Sequence, residues 1–225
     1  MEDLKALSKS SFFLMSSSLK DKNKAFLSSV LVAHAVLFWL VFASPDLESL
    51  LNVEALIFRL VKTAPFVILP ALLSFLLQGV VASDLKARLV YWRFRKNPYP
   101  GSEAFTKWLH RDNRIDINVI KSRYHPLPIA PADQNALWYR IYRLHQHEPN
   151  VEDAHKRFLL ARDLACCALI FGTLSSVALV WGASSYSCTL VYIIGSILYY
   201  VSCCIVAQNH GNRFVMSVLA NESAR

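Results

Sequence analysis

A chain of 225 residues that is 54% hydrophobic, with a formal net charge of +8, is too apolar for an ordinary soluble domain or a disordered tail. Its apolar residues are gathered into long uncharged runs, which favours a bilayer setting. There are only five cysteines (Cys166, Cys167, Cys188, Cys203 and Cys204), all within the last two runs, and they argue against a disulfide-stapled secreted framework.

Residues 1–24 are polar and Ser-rich. They hold Lys5, Lys9, Lys20, Lys22 and Lys24 around one apolar patch, Phe12-Phe13-Leu14-Met15, which suits an interfacial helix or a frayed tail equally. The first apolar run, 26–42, begins too late for a signal peptide and is followed by three more, so it reads as a retained membrane helix. Residues 47–62 space Leu47, Leu50, Leu51, Val53, Ile57, Leu60 and Val61 on one helical stripe, as a short outer helix or an extension of the next span. The second span is 65–82, started by Pro65 and kinked at Pro70. The two spans make a hairpin over 25–83.

The region 84–163 is expected to be ordered and helical. Asp84 to Lys96 reads as a continuation of the second span, and Asn97–Gly101 as a turn. Ser102 is placed to cap a helix through Leu109, and Asp116 to cap Ile117–Tyr124. His125–Pro131 is an extended connector, and Ala132–His145 a helix whose main face carries Leu137, Trp138, Ile141, Tyr142 and Leu144. Asn150 with Asp153 resembles a capping box ahead of one helix running from Val151 to Gly182. The third span is 164–183 and the fourth 188–207, a second hairpin over 164–207. In 208–225, Phe214–Ala220 returns to apolar residues, as a continuation of the last helix or an interfacial tail. The fold class is therefore all-α: a polytopic membrane protein with four transmembrane helices and a helical cytoplasmic insertion between helices 2 and 3.

Charge sets the expected orientation. Region 84–163 has fifteen basic residues against nine acidic ones, a balance of roughly +6, while Ser184–Ser187 is uncharged. The positive-inside rule puts both termini and the insertion in the cytoplasm, and a bacterial inner membrane fits the compact loops.

His34 stands at mid-depth in the first span, where an ionisable group is costly and marks a candidate site. Ser74, Thr173 and Ser176 are polar at similar depth, with Gln78 nearer the cytoplasm; either a packed neutral His or a conduction path would use them. Ala168, Gly172 and Ser176, four apart, let helices approach closely, within the chain or in a homo-oligomer. Lys86, Arg88, Arg93, Arg95 and Lys96 follow the second span closely enough to meet anionic lipid headgroups. Their interspersed acids speak against nucleic acid. Trp138, Tyr139, Tyr142, Arg140 and Arg143 form either a surface for a soluble cytoplasmic partner or the insertion's own core.

The triplet His110-Arg111-Asp112 lacks every other kinase element and is coincidence. His145, His147 and His155 beside Glu152 and Asp153 read as solvated polar residues at helix ends, not a metal site. The adjacent Cys pairs read as small packing residues. No nucleophile motif, phosphate loop or paired carboxylates occur, so no catalytic residue, cofactor or metal is expected. The expected function is a non-enzymatic membrane sensor, effector or scaffold that docks a soluble partner, a class that includes bacterial anti-phage effectors. The alternatives are an oligomeric channel or small transporter using His34, and a membrane-face enzyme built on convergent cytoplasmic His and Asp residues.

Overall fold

The computed structural model describes residues 19–46, 48, 52, 54 and 80–225. Residues 65–79 of the expected second span, with Ser74 and Gln78, lie outside the described residues, as do the patch at 12–15 and most of 47–62. Among the described residues every regular element is a helix: α1 (Leu19–Phe42), α2 (Ser83–Tyr91), two 3-10 turns (Pro100–Glu103 and Trp108–His110), α3 (Ile117–Arg123), α4 (Pro131–His145), α5 (Pro149–Gly182) and α6 (Tyr186–Ala224).

The two long helices organise everything else. α5 has 34 residues and α6 has 39, so they are about 51 Å and 58 Å long. Pro149 opens α5 at a position whose N–H would have no helical partner. Ser185 opens α6 by accepting from the Cys188 amide at 3.3 Å. Only residues 183–185 separate the helices, so they run antiparallel and pack along most of their length. Gly172 permits this: a Cβ there would lie 3.2 Å from Ser196 Cβ. Both helices are long and apolar enough to cross a membrane; α1 holds a shorter apolar stretch, Phe26–Phe42.

Each long helix has two environments. In the apolar half, α1 packs on both through two small clusters, Leu31 with Cys167 and Phe171, and Val41 with Leu179, Cys188 and Tyr192. Much of the remaining apolar surface faces outward: Trp181 is 88% exposed and Leu198 62%. Only 22% of the most apolar window of α6 is buried against the rest of the chain. In the charged half, a closed core gathers Phe105, Trp108, Leu109, Ile115, Ile120, Trp138, Ile141, Val151 and Phe158 around Phe214, Val215, Val218 and Leu219. The apolar return at 214–220 is thus a continuation of the last helix, as one of the two expectations had it, and not an interfacial tail. It is the central post of this helical unit.

Between the halves lies a collar of small side chains. Val90 of α2 packs with Ala161, Ala165 and Ala168 of α5 and Cys203, Cys204 and Ala207 of α6. All five cysteines are buried and reduced, and four of them serve these close helix contacts.

Several local expectations are corrected. α2 is not a continuation running to Lys96. Ala82 is non-helical (ψ 144°), so the helix starts anew at Ser83, and it stops at Tyr91 because Trp92 turns left-handed (φ 53°). A bulky side chain there costs on the order of 1 kcal/mol. Ser102 caps no helix; it sits inside a 3-10 turn and takes a hydrogen bond from Arg93 instead. Asn150 is not a cap, because Pro149 moves the helix start two residues earlier, to a Glu148 cap. Asp116 does cap α3, accepting from the Asn118 and Val119 amides. The connector before α4 contains a cis His125-Pro126 bond. Gln134 ties α4 to the 3-10 region: its Oε1 accepts from the Phe105 and Thr106 amides and its Nε2 donates to the Ile129 carbonyl.

Candidate functional site

α4 divides its residues between two faces. Gln134, Trp138, Ile141 and His145 recur at the helical period and are buried. Trp138 is 4% exposed, meets Phe214 edge-on at 5.1 Å and stacks on Tyr142. Trp138 is therefore core, with the half-buried Tyr142 packed against it, so of the two expectations for Trp138 the insertion's own core is the one observed and not a partner surface. An indole can pack flat here because Gly101 has no side chain: a Cβ there would fall 2.6 Å from the ring.

The opposite face is exposed. It carries Ala136, Tyr139, Arg140, Arg143 and Leu144, the last 60% exposed. Arg140 and Leu144 also border a cleft of about 640 Å³ between α4 and the connector, with Tyr124, Pro126, Pro128 and Leu137 on its walls. Among the described residues neither Arg140 nor Arg143 has a salt bridge or hydrogen bond to its side chain. The other basic side chains nearby are engaged: Arg123 with Glu222, Arg114 with Asp112, Arg157 with Asp153.

Below this face a buried charge cluster locks four elements together. Glu222 at the end of α6 is 2% exposed at its side chain. Its Oε2 lies 2.6 Å from His145 Nε2, and its Oε1 accepts from Arg123 Nη1 at 2.8 Å and the Tyr124 hydroxyl at 3.0 Å. His145 Nδ1 lies 2.7 Å from Glu148 Oε1, and Asn221 donates to Glu148 Oε2. Burial works against ionisation of Glu222, but the bonds from His145, Arg123 and Tyr124 outweigh it and hold the carboxyl below the usual range. The bonds tie α3, α4, the start of α5 and the end of α6 together.

His155 has a different environment. Its ring stacks on Phe214 at 4.7 Å and its Nδ1 meets the Tyr142 hydroxyl at 3.0 Å. Burial, then the charge of Arg162, lowers its pKa from 6.5 to about 4. The unfolded chain therefore takes up this proton first as pH falls. Stability is full above pH 6.5 and declines toward pH 4, by on the order of 3 kcal/mol for this one group. Chemical unfolding followed at a series of pH values is expected to show that decline, and His155→Phe is expected to flatten it between pH 6.5 and 4.5. His110, His125 and His147 are exposed and do not join His145 or His155. Among the described residues no group of three or more His, Cys, Asp or Glu is placed to hold a metal ion.

In the apolar half, His34 Nε2 and the Tyr192 hydroxyl are 2.9 Å apart, with the Phe171 and Tyr199 rings around the imidazole. Ser176 is half-buried and Thr173 exposed, Ser196 and Tyr199 line the same cleft as His34, and Ser74 and Gln78 lie outside the described residues. Ala168 and Gly172 face α6 of the same chain.

The basic residues after the second span separate into two kinds. Lys86 is buried and pairs with Asp163 at 3.3 Å, where Arg162 also bonds, so it does not reach a headgroup. Arg88 pairs with Asp84 and Arg93 with Glu103, each at 2.7 Å. Arg95 and Lys96 are exposed and have no such partner among the described residues. Lys86 could not have been sorted from Lys96 by spacing alone, since its partner is 77 residues away.

Comparison with family models, curated proteins and solved structures finds no match.

Proposed function

We propose that this chain is a multi-pass membrane protein of four spans, with both termini cytoplasmic, whose helical unit docks a soluble protein through the exposed face of α4. The role is that of a scaffold or effector and not of an enzyme. The membrane setting is supported by the length and apolar character of α5 and α6 and by their outward side chains, among them Val177, Val180, Trp181, Ile194, Ile197 and Leu198. Lys-rich residues 1–24 and the basic insertion support the orientation.

The observation that carries the docking role is the pair of unpaired guanidiniums, Arg140 and Arg143, beside Tyr139 and Leu144. Arginine and tyrosine with an apolar anchor are what binding hot spots use. The charge selects an acidic, amphipathic segment of the partner. Arg140→Glu with Arg143→Glu is expected to cut recovery of a co-purifying partner at least tenfold while membrane insertion and thermal stability stay unchanged. Raising the salt should weaken recovery by the wild type in the same way. Equal recovery by variant and wild type would overturn the proposal. Trp138 is unsuitable for this test, because its loss would unfold the unit.

A further inference from the structure

We propose that the loop after α2 is a binding site for an anionic glycerophospholipid, in which Arg95 and Lys96 hold the headgroup phosphate and Trp92 and Phe94 lie against the glycerol and upper acyl chains. This rests on the membrane reading above.

Position is the first argument. The end of α2 is fastened to α6 where its uncharged run finishes: Tyr200 donates to the Leu89 carbonyl at 2.9 Å and Gln208 Nε2 to the Val90 carbonyl at 2.7 Å. The loop that follows is therefore level with the boundary between the outward apolar surface and the charged unit. Amphipathic aromatic rings settle at that depth of a bilayer.

Backbone geometry is the second. Trp92 is the one non-glycine residue with positive φ among the described residues. It ends α2 and folds the chain back, so that Arg88 Nη1 bonds the Phe94 carbonyl at 2.6 Å. The result is to leave Trp92 half exposed and Phe94 59% exposed, side by side with Arg95 and Lys96. Strained backbone of this kind persists where the surroundings enforce it, and here it presents two aromatic rings to the outside.

Charge is the third. The same residues border a cleft of about 580 Å³. Its one acid, Glu103, is held by Arg93 and Lys107. Among the described residues Arg95 and Lys96 are left as two unmatched positive charges, suited to a phosphate diester whose negative charge no ammonium group in the same headgroup cancels. An acidic protein segment could satisfy the charges, but it would not explain exposed rings at the rim of the apolar surface.

The test uses the full chain in mixed micelles, titrated with fluorescent phosphatidylglycerol and, separately, with fluorescent phosphatidylcholine. Arg95→Gln with Lys96→Gln is expected to weaken phosphatidylglycerol binding at least tenfold and to leave phosphatidylcholine unchanged. Trp92→Gly relieves the left-handed strain, so it should raise thermal stability while weakening phosphatidylglycerol binding several-fold. Equal binding by wild type and both variants would overturn the proposal. Full competition by millimolar inorganic phosphate would overturn it in favour of a free-phosphate site, and full competition by a poly-glutamate peptide in favour of a protein-docking surface. Alkaline carbonate extraction reports the membrane reading separately: release of the chain would sink that reading, while the micelle titration would still decide this one.

Discussion

Glu222→Ala is expected to destabilise the helical unit by about 3–5 kcal/mol, the range for breaking a buried ion pair from one side. The mechanism is the loss of a shared acceptor. His145 Nε2, the Arg123 guanidinium and the Tyr124 hydroxyl all converge on this carboxylate, and His145 and Glu222 are both buried. Removing it leaves His145 Nε2 buried without its partner and takes the side-chain acceptor from Arg123 and Tyr124, although His145 Nδ1 keeps Glu148 and Arg123 keeps the backbone carbonyl of residue 222. The elements involved are α3, α4 and the end of α6, so the damage is not local. Unfolding in detergent, followed by the fluorescence of Trp108 and Trp138, measures it. Glu222→Gln keeps an acceptor for Arg123 and Tyr124 and should lose less. If the alanine variant unfolds at the wild-type denaturant concentration, the cluster is not the clamp described. Because bonding depresses the Glu222 pKa, its contribution is present above the usual carboxylate range and is lost as pH falls through the folded value. That loss adds to the acid sensitivity of His155.

Gly211→Ala is expected to cost about 1–3 kcal/mol or more by overpacking, although alanine is the better helix former by about 1 kcal/mol. The new Cβ would collide with the Tyr91 hydroxyl oxygen and sit 3.0 Å from Phe158. That hydroxyl is buried without a hydrogen-bond partner, and burial raises its pKa, so it stays protonated and contributes nothing that offsets its desolvation. Tyr91→Phe alone should then be neutral or stabilising. The double variant should recover most of the loss, because it deletes the atom that clashes. Thermal melts of the four proteins form a double-mutant cycle with a coupling of about 1–3 kcal/mol. Additive effects would mean that the two residues do not meet.

Much of the helical architecture was legible in the residues. An uncharged run of about the length needed to cross a bilayer, closed by a Ser-rich connection, anticipates the long antiparallel pair α5 and α6. The limits of α4 follow from Pro131 at its first turn and the amphipathic spacing up to His145. Asp116 acts as the cap its type suggests. Where two local signals competed, the reading failed. Asn150 looked like a cap, but Pro149 took the first helical position. Trp92 looked helical by composition, but it is left-handed, and the chain folds back so that Arg88 bonds the Phe94 carbonyl.

The candidate site was less legible, because burial depends on distant partners. Trp138 and Tyr139 are adjacent and both aromatic, yet one is in the core and the other half exposed. Phe214 decides this, 76 residues after Trp138. Lys86 and Lys96 look equivalent in sequence, and Asp163 neutralises only the first.

Helix content, the two long apolar helices and the uneven distribution of charge were determined by the sequence alone, since hydropathy, capping and periodicity act over a few neighbouring residues. The tertiary structure decided which polar and aromatic groups are already engaged. Glu222, His145 and Arg123 meet across 77 and 99 residues of chain, and only packing can set such distances. By engaging those groups it also decided which remain available: Tyr139, Arg140 and Arg143 on α4, and Trp92, Phe94, Arg95 and Lys96 at the collar.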